Sequence, residues 1–331
     1  FEAFSKMSED QFKFFLKIKD LTNYEKRKIF IERPRLTGLY NVNYEDFCPS
    51  DTIMYHFKSQ DQIVYPLDLN GTSEFFLKHR TQEQFFHTIM HTMLGGTSMF
   101  AEEKEDHAAD IELTNVYSRE PEMEEEFDCR KVFYYHMRLA ELVFEASDSC
   151  DQDGRKHYDD NIFQVLTHQT SIGRFKLHYV CRTQGIIADG RDCLKINNLQ
   201  TLNKQRFVAV KQLWAKMKDN ELRLLKFWLQ GYLSNIKDLY IAYKDSDGVV
   251  REPMEHIHLR DIPKKCSWKP HVCTAFLLDI LNKIERLMDT VDSLETVYRF
   301  SFNAKHKTVF YKIYEGKSQY SFIPNDYADF I

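Results

Sequence analysis

Two hydrophobic periodicities alternate along this chain, and that alternation constrains its fold more than any other feature. Apolar residues at three- and four-residue steps mark an amphipathic helix, whereas strict alternation marks a strand with one buried face. The first pattern runs from Pro270, at a first-turn position, through Phe276, Leu277, Ile280, Leu281, Ile284 and Leu287. It recurs after the capping candidates Asp219 and Asn220 at Leu222, Leu225, Leu229 and Tyr232. A third helix is predicted over residues 131–147, with Phe133, Met137, Ala140 and Phe144 along one stripe. The second pattern occurs at Phe175, Leu177, Tyr179 and Cys181, at residues 239–243 before an Asp247-Gly248 turn, and in residues 297–302 and 308–314, which read as a hairpin. Interleaved helices and strands predict an α+β fold, with mixed and antiparallel twisted sheets flanked by helices. Among 331 residues there are only 11 glycines and 8 prolines, and no repeat or low-complexity stretch marks a linker, so a single domain over 1–331 is expected.

Charge and cysteine usage narrow the function classes. Lys and Arg number 45 against 50 Asp and Glu, a formal charge of −5, which argues against a chain held to nucleic acid mainly by phosphate neutralisation but leaves room for a local basic groove. The 7 cysteines include no Cys-x-x-Cys pair and fit reduced thiols in the nucleus or cytosol better than disulfides or cysteine-held zinc. No apolar run reaches the ~18 residues of a membrane span, and the first residues lack a signal-peptide pattern, so a soluble chain with no membrane partner is expected.

Side chains two apart on a strand share a face and can point at one metal ion. Gly190 and Asp192 form such a pair, and the apolar run Arg206-Phe207-Val208-Ala209-Val210-Lys211 places Ala209 and Lys211 on one face of the next strand. Metal-dependent nucleases commonly use an Asp, then an acidic residue and a Lys two apart on the following strand. The carboxylates hold Mg²⁺ and the ammonium positions the attacking water. Here the Asp and the Lys are present, and the acidic member is replaced by a methyl group. Two ordinary strands with one polar end each fit the same spacing. His87 and His91 have zinc-ligand spacing, but Thr88 stands where the zinc peptidase motif needs a general base, and an ordinary histidine pair fits as well. Gly95-Gly96 has no following Lys, and no Gly-x-Ser-x-Gly turn occurs, which excludes phosphate-loop and serine-hydrolase chemistry. The acidic segment over residues 120–128 reads as a solvated loop, with a docking element as the alternative.

Several segments together resemble the DXO family of RNA decapping enzymes and 5′ exoribonucleases. Arg33-Pro34-Arg35-Leu36-Thr37-Gly38 and Pro66-Leu67-Asp68-Leu69-Asn70-Gly71 resemble its N-terminal strand and its Asp-Leu-Asn segment. Leu224-Leu225-Lys226-Phe227-Trp228-Leu229-Gln230 is similar to its Leu-Leu-Lys-Trp-Trp-x-Gln helix. Ser267-Trp268-Lys269-Pro270-His271-Val272-Cys273 is similar to the start of its last long helix, and Tyr320-Ser321-Phe322-Ile323-Pro324 to its closing segment. These run in the family's order over nearly the whole chain.

The resemblance implies a DXO-like fold and lets the family's site be carried over by residue. Its Gly-Tyr-Lys-Phe-Glu motif falls on Glu141-Leu142-Val143-Phe144-Glu145, which makes Glu145 a metal-ligand position. Its Glu-x-Asp motif falls on Gly190-Arg191-Asp192, its Glu-Leu-Lys motif on Ala209-Val210-Lys211, and its substrate-placing Gln on Gln230. Its first motif, an Arg on a hairpin, has no match between residues 105 and 130. Two of four carboxylate ligands are therefore replaced, by Gly190 and Ala209, and Glu145, Asp192, Lys211 and Gln230 remain as vestiges. Without the family, Glu145 reads as a helical surface glutamate and Asp192 as a strand-end aspartate. The expectation is a pseudoenzyme with no catalytic residue and no metal or other cofactor. It resembles degenerate family members that act in the nucleus on germline piRNA precursors through protein partners, with RNA 5′ ends as a further ligand. The alternative is a residual Mg²⁺-dependent decapping hydrolase or 5′–3′ exoribonuclease.

Overall fold

The structure is a computed structural model, described over residues 12–18, 21–42, 47–48, 54–70, 129–146, 163–187, 199–217, 220–291, 293–321 and 323. In chain order the first strands are β1 (Lys13–Lys17), β2 (Arg35–Val42), β3 (Phe47–Cys48), β4 (Tyr55–Phe57), β5 (Leu67–Asp68), β6 (Phe144–Ala146), β7 (Phe163–Ile172) and β8 (Phe175–Thr183). They are followed by β9 (Gly185–Ile187), β10 (Phe207–Trp214), β11 (Asp238–Lys244), β12 (Val249–Val250), β13 (Glu255–His258), β14 (Val297–Asn303) and β15 (Thr308–Tyr314). The helices are α1 (Thr22–Glu25), α2 (Cys129–Val143), α3 (Leu199–Lys204), α4 (Glu221–Leu233) and α5 (Pro270–Met288). The described residues fall into two compact units, with boundaries after Ile31 and after Trp268.

The smaller unit joins both ends of the chain in a three-stranded antiparallel sheet of order β1-β15-β14. The predicted hairpin is β14 and β15, paired from Val297↔Tyr314 to Asn303↔Thr308. Phe15 stacks edge-on against Phe300 at 4.9 Å. The long C-terminal helix starts with Pro270 in its first turn, where a missing N–H costs nothing. Tyr24 of α1 meets Phe276 edge-on at 5.5 Å and donates to Asp279 Oδ2 at 3.0 Å, while Thr274 Oγ1 donates to the Ile29 carbonyl.

In the larger unit an eight-stranded sheet has the order β5-β12-β11-β10-β9-β4-β6, with β13 also paired to β11, and a second sheet has the order β3-β2-β7-β8. Strands β10 and β11 are parallel from Val208↔Asp238 to Trp214↔Lys244, and α4 makes the crossover between them. Asn220 caps α4 as the sequence predicts, its side chain accepting from the Arg223 N–H at 3.0 Å. Because β10 is covered on both faces, it is apolar in both registers. Val208 and Val210 pack with Phe57, Leu139, Val143 and Phe144, whereas Ala209 and Leu213 pack with Trp228 and Leu239. A third cluster, including Leu36, Leu166, Ile186 and Phe207, joins the two sheets. The expected turn after β11 is present: Gly248 has φ 77°, and a Cβ there would stand 2.6 Å from Tyr135 Oη.

One element differs from its expectation. The helix predicted to residue 147 ends at Val143, and Phe144 and Glu145 lie on β6, paired with Phe57 and His56 of β4. Phe144 is buried edge-on against Phe57 at 5.6 Å, so a sheet edge captures a residue whose spacing also continues the helical stripe. Glu145 is accordingly a strand residue. Cys181, Cys266 and Cys273 are free thiols. Among the described residues no helix is long and apolar enough to cross a membrane.

Candidate functional site

Strand register decides which side chains share the face on which Ala209 and Lys211 stand. Glu145 pairs with His56, His56 with Ile186, and Ile186 with Phe207, so these four lie in one row across β6, β4, β9 and β10. Ala209 and Lys211, two and four residues beyond Phe207, share its face. The structure therefore brings Glu145, Ala209 and Lys211 to one side of one sheet, and α4 covers that side of β10 with Trp228.

Within that frame the polar groups are few. Lys211 Nζ donates to Gln230 Oε1 at 3.2 Å and lies 5.7 Å from the Phe227 ring centre, so the expected Lys–Gln pair is assembled across β10 and α4. Lys211 is half-buried, yet enough apolar protein encloses its ammonium to push its pKa down to about 8. Ala209 is buried in the cluster of Leu213, Leu239 and Trp228, a setting that would desolvate a carboxylate placed there. Glu145 is exposed. Burial pushes the His56 imidazole below its usual range, and the Glu145 carboxylate opposes that shift.

Gly190 and Asp192 lie outside the described residues, as do His87, His91, the Gly95-Gly96 pair and the acidic segment. The strand paired to β10 ahead of it is nevertheless defined. β9 runs antiparallel to β10 with Ile186↔Phe207 and Gly185↔Val208, so the residue next in line towards Ala209 is Gln184. Its Oε1 accepts from the Val210 N–H at 2.7 Å, and its Nε2 lies 3.3 Å from His136 Nε2. Gln184 is a neighbour of β10 that sequence spacing did not single out, and its amide reaches the α2 side of the strand, where Val208 and Val210 pack.

Other motif-like residues are structural. Asn70 accepts from Tyr135 Oη at 2.8 Å, and its own N–H donates to Asp68 at 2.9 Å, so the Asp-Leu-Asn segment ties β5 to α2. Trp228 is buried against Trp268 at 5.3 Å and Tyr232 at 5.2 Å. Lys244 is fully buried between Trp214, 3.6 Å from its ring centre, and Tyr135, 4.7 Å away. Burial, aided by Lys131, pushes the Lys244 pKa down to about 8. Among the described residues, the side chains that converge as metal ligands do are Asp238, His256 and His258.

Comparison with known proteins identifies the family. A family model described as RAI1-like PD-(D/E)XK nuclease matches residues 89–328. Protein cutoff of Drosophila melanogaster is 39% identical over 106 residues, which are 31% of this chain and 27% of that protein. The decapping and exoribonuclease protein Rai1 of the same organism is 21% identical over 149 residues, 43% of this chain and 39% of that protein. The matches span well under half the length of either relative. In fold, the chain is similar to Candida albicans Rai1 solved with pU5 and Mn²⁺ (TM-score 0.64, 13% identity, 96% of this chain and 100% of that one). It is also similar to Scheffersomyces stipitis Rai1 solved with (3′-NADP)⁺ and calcium (TM-score 0.58, 13% identity, 92% of each chain). With a family model covering well over half of its length and this sheet architecture, the chain belongs to the RAI1-like PD-(D/E)XK nuclease family, in which it is similar to Protein cutoff.

Proposed function

We propose that this protein is a DXO-like pseudoenzyme. The observation that carries the reading is the face of β10: Ala209, on the side of Lys211, contributes only a methyl group inside an apolar cluster. A hard dication needs several anionic oxygens at one point, and two such ions in one cleft repel each other unless carboxylates neutralise them. Lys211 and Gln230 keep the geometry of a water- and substrate-placing pair, but they supply no ligand to a metal. Gly190, as a second lost carboxylate, adds to this reading, and Asp192 and Glu145 are its vestiges.

The likeness to Protein cutoff supports a nuclear role on germline piRNA precursors, within a complex of the kind formed with Rhino and Deadlock. There the fold shields transcripts from 5′-end processing, splicing or termination through protein contacts, with RNA 5′ ends as an added ligand. The competing reading is a residual metal-dependent decapping hydrolase or exoribonuclease, favoured by the intact Lys211–Gln230 pair. An RNA decay assay separates the two. With Mg²⁺ or Mn²⁺ the purified chain is expected to leave both 5′-monophosphate and capped RNA intact. Turnover that disappears in Lys211→Ala would overturn the pseudoenzyme reading.

A further inference from the structure

The other face of the same sheet carries a second polar cluster. β13 runs antiparallel to β11 with Asp238↔His258 and Tyr240↔His256, so two histidines two apart on one strand stand on the face of Asp238. Since Asp238 is also in register with Val208, this face is opposite to that of Ala209 and Lys211. Asp238 is fully buried, whereas the side chains of His256 and His258 are 33% and 45% exposed. His256 Nε2 lies 2.8 Å and His258 Nδ1 3.1 Å from Asp238 Oδ1. Arg206 grips the same carboxylate with both arms, Nε to Oδ2 at 2.6 Å and Nη2 to Oδ1 at 2.8 Å. Burial alone would raise the Asp238 pKa, but the hydrogen bonds from Arg206 and His256 outweigh it and hold the group ionised.

Three nitrogens therefore converge on Oδ1, an atom with two lone-pair directions. As hydrogen-bond donors to it, the two imidazoles and the guanidinium oversubscribe it. If each imidazole turns a lone pair inward instead, one dication between them and Oδ1 satisfies all three groups, and Arg206 remains on Oδ2 as the partner that fixes the carboxylate. The three candidate ligand atoms lie within 4.8 Å of one another, so small rotations of the two exposed imidazoles bring them to the roughly 2 Å bonds of zinc. The His256 ring is already oriented, stacked on Tyr240 at 4.6 Å and 19°.

We infer that Asp238, His256 and His258 form a binding site for a Zn²⁺-class ion, with a further coordination position open to solvent. Two nitrogens and one carboxylate oxygen select a borderline transition ion over Mg²⁺ or Ca²⁺, so the site differs in chemistry as well as position from a nuclease centre. The ion would clamp β13 onto β11. Arg206 places a positive charge nearby, which makes the affinity weaker than that of an all-cysteine structural site.

The test is titration of the full chain with Zn²⁺ by calorimetry and with Co²⁺ by visible absorption, together with a thermal-melt series. One ion per chain is expected, with a Zn²⁺-dependent rise in Tm. His258→Ala, an exposed edge-strand change that should not disturb folding, and His256→Ala should each weaken binding at least about tenfold. Absence of Zn²⁺ and Co²⁺ binding to the native chain at submillimolar ion would overturn the assignment. Binding undiminished in the His256→Ala/His258→Ala double variant would do so too, by placing the ion elsewhere.

Discussion

At the residue scale, a single atom change can remove a ligand, yet what surrounds the atom decides whether it can be put back. Ala209 sits among Leu213, Leu239 and Trp228, so Ala209→Glu must bury a carboxylate beside apolar groups unless a metal compensates it. Gly190→Glu combined with Ala209→Glu is therefore expected to bind Mn²⁺ more tightly than Ala209→Glu alone. Calorimetry in a His258→Ala background, which removes the cluster on the opposite face, checks the order, and equal affinities would place Gly190 outside the ligand set. Metal binding should return more readily than turnover, because catalysis demands ligand placement within about 0.5 Å. The places of Lys211, Gln230 and Ala209 were legible in the sequence, since a strand with period two and a helix at known spacing fix their own faces. Gln184 was not, because the facing residue depends on how two strands are aligned and on the length of the segment between them.

At the scale of elements, the amphipathic helices and the hairpin were legible because each carries its own period. The end of α2 was not: Phe144 fits both a helical stripe and a strand, and only the pairing of β6 with β4 chooses. The grouping of Asp238, His256 and His258 had no sequence signal, because the carboxylate that meets the two histidines comes from β11, a tertiary contact. Strand β7 illustrates a consequence of burial that no local pattern reveals. His168 is fully buried, its face stacked on Tyr179 of β8 at 5.6 Å. Burial pushes its pKa down to about 4, opposed only in part by backbone hydrogen bonding at Leu166 and Ser234. Below pH 6.5 the unfolded chain gains a proton that the folded chain refuses. Stability is then lost progressively from pH 6.5 towards pH 4, by about 3 kcal/mol at the lower end, and no further below it. Urea unfolding at a series of pH values should show this slope, and His168→Leu should remove it. A variant with the same slope as the native chain would assign the acid sensitivity to other groups.

At the scale of the whole molecule, the formal charge of −5 offers RNA no broad basic approach. Lys211 stands out as a charged side chain held beside Gln230 on the face of β10. If partners dock on the outer surface, as the pseudoenzyme reading holds, Lys211→Glu should leave both RNA affinity and partner pull-down unchanged. A weakened, less salt-dependent RNA affinity with intact pull-down would mean that the frame grips a phosphate. Loss of pull-down in a normally folded variant would move the partner surface into the frame itself.

The smaller unit has a consequence in time as well as in space. β1 pairs with β15, Lys13 opposite Tyr311, so the two strands emerge from the ribosome roughly 300 residues apart. A nascent chain must keep the hydrogen-bonding edge of β1 unsatisfied until β15 has been made, because closing so long a loop is entropically costly and its partner does not yet exist. Exposed edges of this kind recruit other strands. Synthesis therefore leaves β1 in need of a chaperone, and chains that stop before residue 308 have no β15 with which to bury it.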